Sequence, residues 1–590
     1  MFNLPWRLVI NRVSVPLLIV GVLSGGAVAS AHSPAKTSHK QYSGILEYSD
    51  WEFPGNLNEY TAGGNSTLLA DELIGPFGAN QNFLYYDNRN HLHAGWFIKQ
   101  VPSVKNGLVT NGGRTIRFNI KPGMRWSNGQ EITNKDYIFG WKVENDPATG
   151  PACLGTCDAI ASITAVGKYG FVYHMKHIYS VLPNLAIWAL PHNWSRLGNG
   201  NVAQAAKTIA TDTSYTYEDS SYVTAGPYQV QSYVSNDRIV FTPMKYWRGP
   251  GGPYLKEVIF VFYANKPAMI AAAASGQTNI TQDYTLADYG QLLAGAHAYK
   301  IQNVPSFTVE QLAFNVYSKT FNGQPNPLTN LKVRQALALS IDKVGMVRSA
   351  LGVSKSVAAN SVVYGPLVVT KALVQPFGDK SLTGSWDPIA KKYLAYSSRA
   401  VADAKKLLDE AGFSHGFTLQ FYTTSGNPVR QAQYGVIARN WSALGVTAVF
   451  NTVPASQLFT DWVHSGTLAR GAFQVGMFAY EGAPDPDGLK VYIGGKFVPE
   501  ISHAAVDAND SGFQDKVIDH ALTVEAGSFN KAVRTAAWKA IQVEMNKQAY
   551  WVPLFARPAI ATVNSHAQNV SETSVLPGIT WNVNNWRYRS

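Results

Sequence analysis

The sequence predicts an α/β protein built from more than one compact part. Three observations carry this. The chain has 590 residues, more than one ordinary core holds. Stretches with a two-residue apolar period alternate along it with stretches of helical period, the order expected of α/β units. Its composition, 46% hydrophobic and 15% charged, is that of a globular chain.

The elements follow in order. The run "YSGILEYSDW" from Tyr42 reads as a first strand. In "RTIRFNI" (114–120), Ile116, Phe118 and Ile120 fall on one side of a half-buried strand. The turn signals of "KPGMRWSNGQ" follow, then a helix capped by Thr133 or Asn134 with Tyr137, Ile138 and Trp141 on one face. Residues 222–248 alternate strand and turn, with a hairpin at Asn236-Asp237. "KEVIFVFY" (256–263) is apolar enough for a strand buried on both faces. An alanine-rich helix over 266–276 stops near Gly276, and "QLAFNV" (311–316) is a strand. Asn330 caps one mostly apolar helix through "NLKVRQALALSIDKVGMVRSAL". Over 397–413, Ser398 caps a helix whose stripe is Val401, Ala404, Leu408 and Ala411, and Gly412 ends it. Strand "FTLQFYT", a helix over 428–444, strand "VTAVFNTV", helix "AVRTAAWKAIQVEMNKQ" and strand "YWVPLFA" complete the alternation.

The net charge of +11 is scattered, with no run of five or six Lys/Arg, which argues against a nucleic-acid partner. The N-terminus has the order of a secretory signal: Arg7 and Arg12, the apolar run 13–23, then small residues to Ala31. Cleavage after Ala31 is expected, with an uncleaved anchor as the alternative. No cysteine follows the apolar run to carry a lipid, so the mature protein is expected outside the cytoplasm, periplasmic or at the cell surface. The two cysteines, Cys153 and Cys157, are read as a local disulfide. His91 and His93 share one side of "HLH", but two ligands do not make a metal site, and no metal or other cofactor is expected. No nucleophile elbow, zinc-protease motif or phosphate-binding loop is present, so no catalytic residue is assigned.

Four blocks in order resemble the large solute-binding receptors of peptide and nickel ABC importers. "RTIRFNIKPGMRWSNGQEITNKDYIFGWK" (114–142) is similar to that family's strand, "R-x-G-x-x-W-S-[DN]-G" turn and helix. "TAGPYQVQSYVSNDRIVFTPMKYWRG" (224–249) is similar to its "G-T-G-P-Y" strand and "N-x-x-Y-W". "LAFNVYSKTFNGQPNPLTNLKVRQALALSIDK" (312–343) and "AKKLLDEAGF" (404–413) are similar to its "FN…VRxAlxxAiD" and "A-x-x-L-L-x-x-A-G". The resemblance implies a two-lobed periplasmic-binding-protein-like fold with a hinge and an extra subdomain in the first lobe. On this reading residues 1–31 are a signal peptide and 32–41 a leader. Residues 42–307 are lobe I, with the extra subdomain at about 85–215; 308–548 are lobe II, and 549–590 return to lobe I. Crossovers fall near 307–315 and 548–556. The implied function is capture of peptides for an ABC permease by a monomer that is not an enzyme. A receptor for a nickel chelate, an oligosaccharide or another solute stays open, as does a secreted hydrolase or a surface receptor without transport.

The loop "FAYEGAPDPDGL" (478–489) concentrates the candidate ligand contacts. In the peptide receptors a loop "G-W-x-x-D-x-x-[DE]-P" anchors the ligand's amino group on its first Asp. Alignment on Asp485-Pro486 puts Gly482 at the anchor, so Glu481 becomes the acid to test, beside Tyr480. Asp485 is expected to hold the loop by bonding backbone N–H groups. Trp51 and Tyr48, from the first strand-to-loop region, are further cleft candidates.

Overall fold

Ten strands form the main sheet, numbered here in chain order: β1 (Ile45–Asp50), β2 (Tyr228–Val234), β3 (Arg238–Pro243), β4 (Glu257–Phe262), β5 (Ile280–Thr281), β6 (Tyr299–Phe314), β7 (Phe417–Thr424), β8 (Val446–Val453), β9 (Val475–Tyr480) and β10 (Trp551–Asn564). Their order across the sheet is β8-β7-β9-β6-β10-β5-β1-β4-β3-β2. The structure is a computed structural model that describes residues 42–51, 83–149, 159–185, 187, 189–211, 223–234, 237–282, 284–365, 367, 377–459, 462, 465–480, 482–502, 508–574 and 578–590. Residues Tyr42–Ser590 form one compact unit. Residues 1–41, where a signal peptide and leader were expected, and Cys153, Cys157, Asn236 of the expected hairpin and Glu481 lie outside the described residues.

The long strands β6 and β10 pair antiparallel along almost their whole length and join two half-sheets. Tyr299–Pro305 lie opposite Asn564–Pro558, and Val309–Ala313 opposite Ala556–Trp551, with Leu554 left unmatched by a smaller slip after Glu310. Between these stretches the register slips, so that 306–308 face Arg557 alone. Such a bulge bends a strand and increases its twist. Pro305 and Pro558 face each other at its edge; a proline has no N–H to give a ladder, so the pairing loosens there. The result is the two-lobed α/β fold, with each half-sheet at one end of the β6–β10 ribbon.

Strand directions then fix where the lobes meet. In the first half β1 is parallel to β4 and β5, and β5 is antiparallel to β10, so all three run with β6 towards the second half. In the second half β9 is antiparallel to β6, and β7 and β8 are parallel to β9, so these run towards the first half. The carboxyl ends of both parallel sets therefore face each other across the ribbon.

Helices cover the second half-sheet on both faces. On β6, Leu312 and Phe314 enter a core with α2 (Leu331–Leu339), α3 (Ser398–Glu410) and α4 (Pro428–Ser442). Val309 and Ala313 enter the opposite core, with α5 (Lys516–Ala526) and α6 (Lys531–Gln548). This is the two-residue alternation of a strand buried on both sides. A separate four-stranded sheet, ordered 109–110, 115–119, 170–175, 160–166, packs with α1 (Asn134–Glu144). Thr133 caps α1 in a capping box with Asp136.

Several expectations are corrected. One helix was expected through 330–351; two form, because Asp342 accepts from the Gly345 N–H at 2.8 Å and starts a second helix at Lys343. The cap of α3 is Ser397, whose hydroxyl accepts from the Ala400 N–H at 3.2 Å, not Ser398. The alanine-rich helix ends at Ala274, and α4 ends at Ser442.

Candidate functional site

In open α/β sheets ligands settle outside the carboxyl ends of the parallel strands. Here two such ends oppose each other, and the crevice between them is the candidate site. On the first side β1 ends in Asp50 and Trp51. Trp51 is half-buried, with the Lys266 ammonium 5.3 Å from its ring centroid. On the second side stand the ends of β7 and β9, with Thr424, Tyr480 and Gly482. The Gly482 N–H donates to the Phe307 carbonyl at 3.2 Å and ties the loop after β9 to the bulge of β6. Ser306 lies in the bulge, and its hydroxyl donates to the Arg557 carbonyl at 2.6 Å.

A carboxylate lies at this crossover. Glu310 on β6 is 1% exposed. It accepts from Arg430 Nε at 2.6 Å and from Arg557 Nε at 2.9 Å and Nη2 at 2.5 Å. Burial opposes its ionisation, but the Arg557 and Arg430 guanidiniums outweigh this and hold it below the ordinary carboxylate range. Arg430 is placed by α4, whose N-cap Asn427 accepts from the Arg430 N–H and whose first residue is Pro428. Its Nη1 also donates to Thr424 Oγ1 at 2.8 Å.

The loop after β9 holds a second charged group. Arg534 on α6 donates through Nη1 and Nη2 to the two Asp485 oxygens at 2.6 and 2.8 Å, a bidentate pair. Its Nη2 also donates to Glu525 Oε2 at 2.8 Å, where Trp538 Nε1 donates at 3.2 Å. Asp487 takes the Lys490 ammonium at 2.9 Å and a hydrogen bond from the Tyr179 hydroxyl. Burial, and then the Asp487 charge, push the Glu525 carboxyl up to about 8, so it is protonated at neutral pH. Asp487 is held low despite burial, by Lys490 first and by bonds from Glu525, Tyr179 and Lys490.

Tyr179 comes from the segment after strand 170–175, so this group bridges separate parts of the fold. Ser180 extends the bridge: its N–H donates to the Ala526 carbonyl at 2.9 Å. Gly113, with φ +94°, permits close approach; a Cβ there would lie 2.7 Å from the Phe529 ring.

Residues 103–492 match the family model described as bacterial extracellular solute-binding proteins, family 5, middle. The chain belongs to this family. Among curated relatives, the family 5 chain is 25% identical over 345 residues to heme-binding protein A of Haemophilus influenzae, covering 57% of this chain and 55% of that protein. It is 21% identical over 523 residues to the oligopeptide-binding protein OppA of Lactococcus lactis subsp. lactis, covering 81% of this chain and 79% of that protein. Among solved structures, the periplasmic EDTA-binding protein EppA superposes with a TM-score of 0.75 at 17% identity, covering 94% of this chain and 98% of that one. This last likeness is one of fold.

The family 5 chain places its sequence-derived candidates unevenly. Tyr480 ends β9 and is 3% exposed, with its ring 5.3 Å from Trp551 and 6.0 Å from Tyr492. Its hydroxyl has no hydrogen-bond partner among the described residues. Asp485 accepts from the Asp487 N–H at 3.2 Å, the loop-holding bond expected of it, but the Arg534 pair was not foreseen. Trp51 sits at the crevice. Tyr48, 0% exposed, packs on Phe260 at 4.4 Å inside the sheet. His91 and His93 both turn to Asp87, and among the described residues no three metal-binding side chains converge. Sequence reading missed Glu310, Arg430, Arg557, Arg534 and Glu525. A lone acid inside the apolar strand "FTVEQLAF" was the one available signal.

Proposed function

We propose that the protein is an extracytoplasmic receptor that captures peptides between its lobes and delivers them to an ABC import permease. The observation that carries this reading is the pair of opposed carboxyl ends joined by the β6–β10 ribbon. A ribbon hinge lets the lobes close on a polar ligand, which gains affinity from burial. Backbone hydrogen bonds hold extended peptides with little regard to side chain, in keeping with a receptor of broad range. The oligopeptide-binding relative adds support. Residues 1–31 act as the signal peptide and 32–41 as a leader. Lobe I spans 42–307, with its extra subdomain at about 85–215, lobe II spans 308–548, and 549–590 return to lobe I. The receptor acts as a monomer, performs no catalytic step, and takes its ligand beside Tyr480, Glu481, Asp485 and Trp51, with Tyr48 behind them. Cys153 and Cys157 form a disulfide.

One observation favours a second reading within this class. Asp485 is committed to Arg534, and glycine stands where peptide receptors carry the amino-anchoring Asp. A non-peptide solute, taken by a receptor of the same kind, fits that departure.

Mass spectrometry of ligand co-purified with the protein separates these readings. The peptide reading expects short peptides, and a peptide library that raises the melting temperature without turnover. A co-purified non-peptide solute, or cleavage of the peptides, overturns it. Glu481→Gln is expected to weaken free-amine peptides more than N-acetylated ones; equal effects remove Glu481 from the anchoring role.

A further inference from the structure

We propose that Arg557 receives a carboxylate of the ligand, so that this receptor selects solutes with an anionic end. This rests on the reading that ligand enters the crevice, and it adds which charge the hinge demands. Glu310 is one carboxylate set between two guanidiniums, so among the described residues the group at the crossover carries one positive charge in excess. The excess sits on Arg557, whose side chain is 41% exposed, against 7% for Arg430. Arg430 is spent on Glu310 and Thr424. Arg557 uses Nε and Nη2 on Glu310, while its Nη1 donates to nothing among the described residues. One edge of a planar fork is thus fixed by a buried acid, and the other is presented, the arrangement that suits bidentate binding of a carboxylate.

Place supports charge. Within the fourteen residues of β10 only 557–559 are not buried; Arg557 faces the bulge of β6, and 558–559 pair with 305 and 304 beside it. The strand surfaces at the crossover, between the facing carboxyl ends. Behind it, the N-terminus of the fifteen-residue α4 adds positive potential of the same sign. A fully buried excess charge is costly; a half-exposed one is satisfied by water until an anionic ligand replaces it.

Calorimetry on the full chain tests the proposal, with tri- to pentapeptide libraries as free acids and as C-terminal amides, and with citrate as a non-peptide carboxylate. Free acids are expected to bind wild type about ten- to a hundredfold more tightly than amides, the range of a charge-assisted bond. Arg557→Gln is expected to abolish that preference, and Arg557→Lys to restore only part of it. The Gln variant leaves Glu310 paired with Arg430; should it still not fold, the acid–amide comparison in wild type decides. Equal binding of acids and amides, or a preference that survives in the Gln variant, overturns the proposal. If no peptide binds but citrate does, and Arg557→Gln loses it, the peptide reading fails and the carboxylate site stands. If no carboxylate of either kind binds, the proposal fails as well.

Discussion

Two charged groups flank the crevice, and they balance their charges in opposite ways. At the crossover, one acid, Glu310, serves two guanidiniums. At the loop after β9, Asp485 and Asp487 of the loop and Glu525 of α5 share Arg534 and Lys490. Both groups are largely buried, so desolvation opposes charge in each. The crossover answers with excess cation, and its acid is held ionised. The loop has excess acid and answers with a proton, which Glu525 keeps. A buried acid can shed its charge by binding a proton at accessible pH, whereas an arginine cannot. The crossover group therefore has no fallback when a partner is lost, and the loop group does.

The largest break should come at the crossover. Glu310→Gln leaves Arg430 buried and unpaired, and a loss of about 3–5 kcal/mol is expected in denaturant unfolding. Arg534→Met is expected to cost less, about 2–3 kcal/mol at pH 6, because Glu525 keeps its proton there. That loss should grow towards pH 9; a loss as large as that of Glu310→Gln and flat with pH would undo the contrast. Tyr179→Phe removes a donor to Asp487 and an acceptor for Lys490, which bonds the hydroxyl at 3.0 Å. About 1 kcal/mol is expected, read as a lower melting temperature.

The smallest effect sharpens the comparison through pH. Glu525 is raised from its ordinary 4.5 to about 8, so between those values the folded state holds a proton that the unfolded chain has released. Its contribution is full below about 4.5 and is lost as pH rises through about 8. Glu525→Gln should flatten that decline, leaving the variant about 1 kcal/mol ahead of wild type at pH 9 and no better at pH 5. Glu310 behaves in reverse: its folded value is lowered, so its contribution is present above 4.5 and is lost as pH falls through the folded value.

Much of the fold was legible because local signals agreed with the tertiary outcome. Thr133, Gly412 and the alternation in β7 and β8 are such signals. Strands β6 and β10 were read as short, at 311–316 and 550–556, and Pro305 and Pro558 lie outside those runs. They are tolerated because they oppose each other where the ladder is already broken. Asp342 was absorbed into one long helix because an apolar pattern runs through it. In the site, Trp51 follows from the end of a strand, whereas Tyr48, three residues earlier, belongs to the sheet interior. Glu310 finds Arg430 and Arg557 at 120 and 247 residues' distance, and Arg534 finds Asp485 at 49. Periodicity carries no information about such meetings; only the crossing of strands creates them.

The slipped register between β6 and β10 has a mechanical meaning. Two strands laddered together on both sides of a short gap resist sliding but yield to torsion. Lobes joined in this way would turn about the gap as a lever about its pivot. A turn about the gap would move Tyr179 against Asp487, while Arg557 at the pivot would scarcely travel. One end of any captive would thus meet a stationary partner, and the jaws would take up the difference in its length.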